Sequence, residues 1–491
     1  KQNLPIKSIC QISQNELCLG TDGKGTKIFN IPKQLITDYP FDNNYLDSGT
    51  SKVHSVLKDN AGNLWIAIYQ KGVMMIPAQP NSFKYIGYKS INKNIIGSNC
   101  ITSLCRDHEG ILWIGTDNDG IYGITTELKQ RVHYAPHDSP SSVPSTVFGL
   151  YEDSEHNLWF GSYTNGLGRL DKKTGQCSYL QNLTDKNGNR IQRVYDLVED
   201  QDKRLWIATM GAGLFYYDLK TGQSVYDPKF NAATKKYKWI SCLLYAGDNH
   251  LYVGTYDGIR CIDLSTDDFK TEEILSRHII HSLYEDPQGN IWIGNSEGLA
   301  EWNPQTQQLK TYTTAHGLSS NAVYAIKGDG QDNLWISTNA GMSRFNLNTH
   351  TFSNFYADDG LQGNEFSKNA SFADHNGILW FGGTNGITYF NPQEITNPAK
   401  KWNVRIIDFY LHDQPIRKGM LSGGKEIINT SVFEARDFHL SHNDNAFSIE
   451  FSTRELNNSE RITYLYTINN TPWVLSLIHI SEPTRPLYIS Y

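Results

Sequence analysis

A chain of 491 residues with 39% hydrophobic and 19% charged residues is longer than one ordinary domain and too apolar to be disordered. Its 28 Tyr, 11 Trp and 40 Gly favour strands joined by tight turns, an all-β composition. A net charge of -7 gives no electrostatic case for binding nucleic acid, and no apolar run is long enough to cross a bilayer.

The chain opens inside a pattern, at "KQNLPIKSIC", with no signal peptide before it, so it is expected to be a fragment lacking its natural start. The stretch "ELCLGTDGKGTKIF" (16–29) is an imperfect first copy of a unit that recurs, with Cys18 at its key position. Later copies place an aromatic there: Trp65, Trp113, Trp159, Trp206, Tyr252, Trp292, Trp335 and Trp380. The spacing, roughly 40 to 48 residues, fits a four-stranded propeller blade.

The units share a grammar. An apolar strand comes first, as in "STVFGLYED". An aspartate stands six residues before most of the aromatics: Asp59, Asp107, Asp153, Asp200, Asp286, Asp329 and Asp374. Two residues after each aromatic the side chain is small, as at Gly115, Gly161 and Ala208. A glycine follows at six or seven residues, as at Gly120 and Gly166, and third and fourth strands complete the unit, as in "FKYIGY" or "LKTYTT". Residues i and i+2 of a strand share a face, so the small residue lets neighbouring blades approach. The later glycine supplies positive φ in a hairpin turn, and the aspartate accepts from backbone N–H groups two residues on. Calcium binding is the competing role for the aspartates, but they lack the dense ligand spacing of a calcium loop.

Cys10, Cys18, Cys100, Cys105, Cys177, Cys242 and Cys261 lie mostly in apolar alternating runs and form no CxxC pair. They read as small buried hydrophobes, and their odd number argues against a disulfide framework.

The repeat "D-x-x-G-x-L-W-I-G-T-x-x-x-G-L", carried most closely by Asp107, Gly110, Leu112, Trp113, Ile114, Gly115, Thr116 and Gly120, resembles the two-component regulator propeller repeat. The segment 360–395 resembles the last blade of such sensors. Residues 404–416 and 440–474 resemble the Ig-like β-sandwich named for its tyrosines, with Tyr464, Tyr466 and Trp473 in its "Y-x-Y…W" core strand. The resemblance implies the periplasmic region of an inner-membrane hybrid histidine kinase, with membrane helix, kinase and DNA-binding parts beyond this sequence. The expected architecture is all-β: the last blades of an incomplete propeller (1–84), a seven-bladed β-propeller (85–395) and a truncated Ig-like β-sandwich (396–475). The tail 476–491 reads as translated adapter or vector sequence.

The expected function is ligand sensing without catalysis. A glycan-derived mono- or oligosaccharide would bind, and the signal would pass to the kinase; no metal or cofactor is implied. The resemblance also implies a homodimer through the sandwich, with membrane contact only through the missing helix. Loops entering each first strand share a face with the "GTxxxG" hairpin turns, and they nominate Tyr163, Asn165, Arg193, Trp239, Tyr256, Arg277, His278, Asn321, Asn364 and Glu365. Aromatic faces stack on sugar rings, and Arg and Asn bond hydroxyls or acidic groups. Two other readings stand beside this one. A propeller-fold polysaccharide-degrading enzyme needs a carboxylate pair about 5–10 Å apart, whereas the acids here recur with the repeat. A protein-interaction scaffold leaves the trailing sandwich without a role.

Overall fold

The computed structural model describes residues 4–41, 50–60, 62–78, 82–90, 93–97, 99–125, 127–185, 187–226, 238–265, 269–395, 404–444 and 446–453, with 465–466 and 474–475 as backbone. The chain divides into two compact units, Lys1–Ile395 and Thr396–Tyr491.

In the first unit, seven four-stranded antiparallel sheets follow one another over 100–134, 147–179, 194–226, 240–276, 280–312, 323–355 and 366–390. Their first strands lie side by side in sequence order, and that of the seventh sheet, Phe366–Ala373, lies against that of the first, Cys100–Arg106. The sheets therefore surround a common channel, the propeller arrangement. A further four-stranded sheet over 6–38 and a three-stranded one over 53–76 precede them.

The seventh sheet has only three strands of its own. Its fourth is Lys84–Ile86, with Ile387 opposite Ile86 and Tyr389 opposite Lys84. The stretch "FKYIGY", expected as the fourth strand of the Trp65 unit, thus closes the far end of the ring. Pairing there satisfies the open edge of the strand Gly386–Phe390. It also seats Phe83 in a cluster with Trp335, Phe355 and Phe390.

Each second strand is sandwiched between neighbouring sheets, so its centre is apolar and buried; Leu158–Ser162 is buried at every residue. The small residue two after the aromatic sits where the seam is tightest. A Cβ on Gly115, Gly254, Gly294 or Gly382 would fall 2.6–2.9 Å from Val147, Ile280, Val323 or Ile101, the first β-branched residue of the next sheet. Gly120 has φ +75 and Gly166 φ +79, as the hairpin turns require.

The aspartate has a second task beyond its turn. Asp107 accepts from the backbone N–H groups of Glu109 and Ile111 through one carboxylate oxygen, and from the Trp113 indole N–H at 2.8 Å through the other. Trp65, Trp159, Trp206 and Trp292 repeat the indole bond with Asp59, Asp153, Asp200 and Asp286. Trp335 and Trp380 depart from it, and their buried indole nitrogens have no partner among the described residues. In the seventh sheet the second Asp374 oxygen instead accepts from Arg106 of the first, a buried pair at 2.8 Å that fastens the closing seam.

Cys18, Cys177, Cys242 and Cys261 are buried and all seven cysteines are free. Burial pushes the Cys177 and Cys261 thiols up to about 12, as expected of thiols that serve as packing.

In the second unit Arg405–Leu411 pairs antiparallel with Phe447–Ser452. A core of Phe409, Ile416, Ile427, Ile428 and Val432 forms beside it, with Phe409 stacked between Phe438 and Phe447. Tyr466 lies opposite Val474 in a short hairpin. Tyr464, Trp473, the connector 397–403 and the tail 476–491 lie outside the described residues.

Candidate functional site at the channel mouth

Every first strand of the ring carries a β-bulge near its start. In the second sheet Val147 lies opposite Ser162 and Gly149 opposite Gly161, which leaves Phe148 unpaired. The same slip frees Thr102, Tyr195, Ser241, His281 and Tyr324 in the first, third, fourth, fifth and sixth sheets. A bulge turns its extra residue out of the strand's alternation. Here all six line one cavity of about 250 Å³ at the mouth of the channel.

The seventh sheet contributes more. Phe366 lies opposite Gly383, yet the next pair is Ser371 with Phe381, so three residues are in excess. Ser367, Lys368 and Asn369 line the same cavity, and Asn369 adopts φ +56. Asn369 ties this lining to Asp196. Asp196 accepts from the backbone N–H groups of Leu197 and Leu243 and, at 3.1 Å, from the Asn369 side chain across the channel. Enclosure by the channel wall pushes the Asp196 carboxyl up to about 6, against the pull of those donors. Lys327 faces it as a Coulombic partner, its ammonium disfavoured by burial.

The mouth is aromatic on its walls. Phe148 stacks on Tyr195 at 4.4 Å, and the His281 ring meets the Tyr324 edge at 5.5 Å. Burial pushes the Tyr195 hydroxyl up to about 12, which keeps it a neutral donor.

Of the ten residues nominated from sequence, Tyr256 and Glu365 line this cavity. Trp239, 41% exposed, packs its ring 5.8 Å from Tyr256. Tyr163, 44% exposed, lies edge-on to Phe148 and under the Arg193 guanidinium. The other five serve their own loops. Asn321 and Asn364 accept from the backbone of Thr314 and Ala357, Asn165 closes a turn on Ser162, and Arg277 bonds Asp257 through its backbone. His278 pairs with Glu297. The expectation that these loops share a face with the hairpin turns agrees with the bonds from Gly166 N to Gln192 O, Tyr256 N to Trp239 O and Gly341 N to Asn364 O. The bulge residues Thr102, Phe148, Tyr195, Ser241, His281 and Tyr324, with Lys368 and Asn369, were missed.

The sequence displays no metal-ligand motif, but folding brings His108, Glu152 and His156 together, with ligand atoms within 4.8 Å. Among the described residues, these are the ones grouped closely enough to hold a metal. Their contacts also follow from the seam: Glu152 accepts from the His108 backbone and ring and from Lys172. At the next seam Glu199 meets Ser154 and Lys203 in the corresponding places.

Four-stranded sheets set in a ring around a common channel define the first unit as a β-propeller. It carries repeats of the two component regulator propeller family, whose model matches residues 95–118, 141–164, 190–211, 274–297 and 317–340. The chain is 24% identical over 473 residues to histidine kinase P4 of Formosa agariphila, covering 94% of this chain and 27% of that protein. Its fold is similar to the extracellular domain of the hybrid two component system BT3049 from B. thetaiotaomicron, with TM-score 0.76 and 22% identity over 99% of this chain and 63% of that one. The extracellular domain of BT4673 from the same organism is more distant, with TM-score 0.55 and 17% identity, covering 100% of this chain and 66% of that one. This chain therefore spans only part of the proteins it matches. Among the described residues no helix is long and apolar enough to cross a membrane.

Proposed function

We propose that this chain is the extracytoplasmic, periplasmic sensing region of an inner-membrane two-component signalling protein. In this reading the seven sheets are the blades of one propeller, residues 1–84 are the last blades of another, and 396–475 belong to an Ig-like sandwich. The propeller binds a glycan-derived saccharide at the channel mouth and catalyses nothing. Binding biases the arrangement of domains in a dimer joined through the sandwich, and a histidine kinase across the membrane reads that bias to regulate transcription. A ligand shifts such an equilibrium only through unequal affinity for its two states, about 5.5 kcal/mol for a full 1:99 to 99:1 reversal.

The observation that carries the ligand reading is the mouth itself. Its walls carry aromatic rings placed by recurrent bulges, and hydroxyl, amide and charged side chains converge among them, an arrangement suited to a small polar molecule. Calorimetry against a panel of mono- and oligosaccharides tests it. Saturable binding that is lost in Phe148→Ala and Tyr256→Ala is the expected result. Binding that survives both substitutions would move the site elsewhere, and release of reducing sugar would restore the enzyme reading.

A further inference from the structure

The seventh sheet breaks the rule that the other six keep. Six bulges insert one residue each into the mouth, and the seventh inserts three, one of them a lysine. Lys368 holds its ammonium 5.6 Å from the centre of the Tyr324 ring. It is exposed at the mouth and makes no hydrogen bond or ion pair with another described residue, so its ammonium is open to an incoming group. An exposed, unpaired ammonium beside a cavity is a ready donor to an anionic group.

Next to it, His281 is only 5% exposed, and its Nδ1 has no hydrogen-bond partner among the described residues. Burial and the nearby Lys368 charge push the imidazole down to about 4, so at neutral pH it is uncharged and carries one N–H to donate. The acids nearby do not compensate Lys368. Asp196 is engaged by Leu197, Leu243 and Asn369 and faces Lys327. Glu365 is exposed in the mouth lining and forms no ion pair with Lys368.

We infer that the occupant of the channel mouth is an acidic sugar, and that its anionic substituent is received by Lys368 and His281. This rests on the saccharide reading above and narrows it. The substituent is a carboxylate or a sulfate ester; either accepts from an ammonium and an imidazole N–H.

The test is calorimetry of the full chain with three disaccharide series: neutral, uronate-containing, and sulfated but otherwise neutral. At least one acidic series is expected to bind about tenfold tighter than the neutral one, the gain from a charge-assisted bond, and to weaken with added salt. Whichever acidic series prevails names the substituent. In K368M, with K368Q as a second variant of unchanged melting temperature, that preference should disappear. Equal binding of neutral and acidic sugars by the unsubstituted chain would overturn the inference while leaving the saccharide reading in place. So would a preference that persists in both variants. Binding of no sugar at all would overturn both.

Discussion

Two columns of the repeat behave in opposite ways. The position two residues after the key aromatic is small in every unit, because the next sheet's β-branched side chain occupies the space a larger residue would need. The position eleven residues before the aromatic is equally fixed in place, at Thr102, Phe148, Tyr195, Ser241, His281, Tyr324 and Asn369, yet its chemistry changes from sheet to sheet. The first column faces a seam common to all the sheets, so one solution serves every time. The second faces a shared cavity, where no single neighbour dictates one side chain. Uniformity marks what the ring needs to close, and variety at a fixed place marks what closure leaves free.

Substitutions can break this contrast. The largest effect is expected at the closing seam, where Arg106→Ala leaves Asp374 buried without its cation; a loss of about 3–5 kcal/mol should appear in the denaturation midpoint. A change below about 1 kcal/mol would mean that the pair is not a fastener. Within an ordinary seam, Gly115→Val should cost about 1–3 kcal/mol by overpacking against Val147. An unchanged midpoint there would remove the packing account of the small column.

The variable column should respond the other way. Phe148→Ala is expected to cost stability only about 1 kcal/mol while lowering saccharide affinity at least about tenfold, measured by melting and calorimetry on the same sample. A variant that unfolds while its affinity holds would reverse the roles of the two columns.

The smallest effect concerns pH. The Asp196 carboxyl titrates near 6 in the fold and near about 3.9 when unfolded, so the folded state holds the proton more tightly between those values. Its contribution to stability is full below about 4 and declines as pH rises through 6. Asp196→Asn should remove that decline, so its melting temperature should gain on the parent between pH 4 and 6.5 and then run parallel. A constant offset across that range would show that Asp196 keeps one charge state throughout.

Much of the ring was legible from sequence, because local rules govern it. The aromatic, the small residue and the hairpin glycine each act within one unit, and aligning the units exposes them. The aspartate was read only as a turn former, since its bond to the indole needs a side-chain reach that spacing alone does not specify. The site was harder. A strand alternates with period two, and a bulge breaks that period without a residue type of its own, so nothing in "STVFGLYED" says that Phe148 faces the channel. The column was present in the alignment but looked like noise, having no common chemistry. Loop residues drew attention instead, and half of them brace their own turns. The strand Lys84–Ile86 was misassigned for a different reason: its partner stands at the other end of the ring, and no local signal reports a contact that distant.

That borrowed strand also sets a timetable. Tyr85 reaches Asn385 across 300 residues of chain. At about 5–20 residues per second of synthesis, it waits on the order of 15–60 s for the sheet it completes. Throughout that interval Phe83, buried in the finished ring, has no Trp335, Phe355 or Phe390 to cover it. The newborn chain must therefore stay open and unaggregated until its final sheet emerges, and ring closure becomes a late, single event in its biosynthesis.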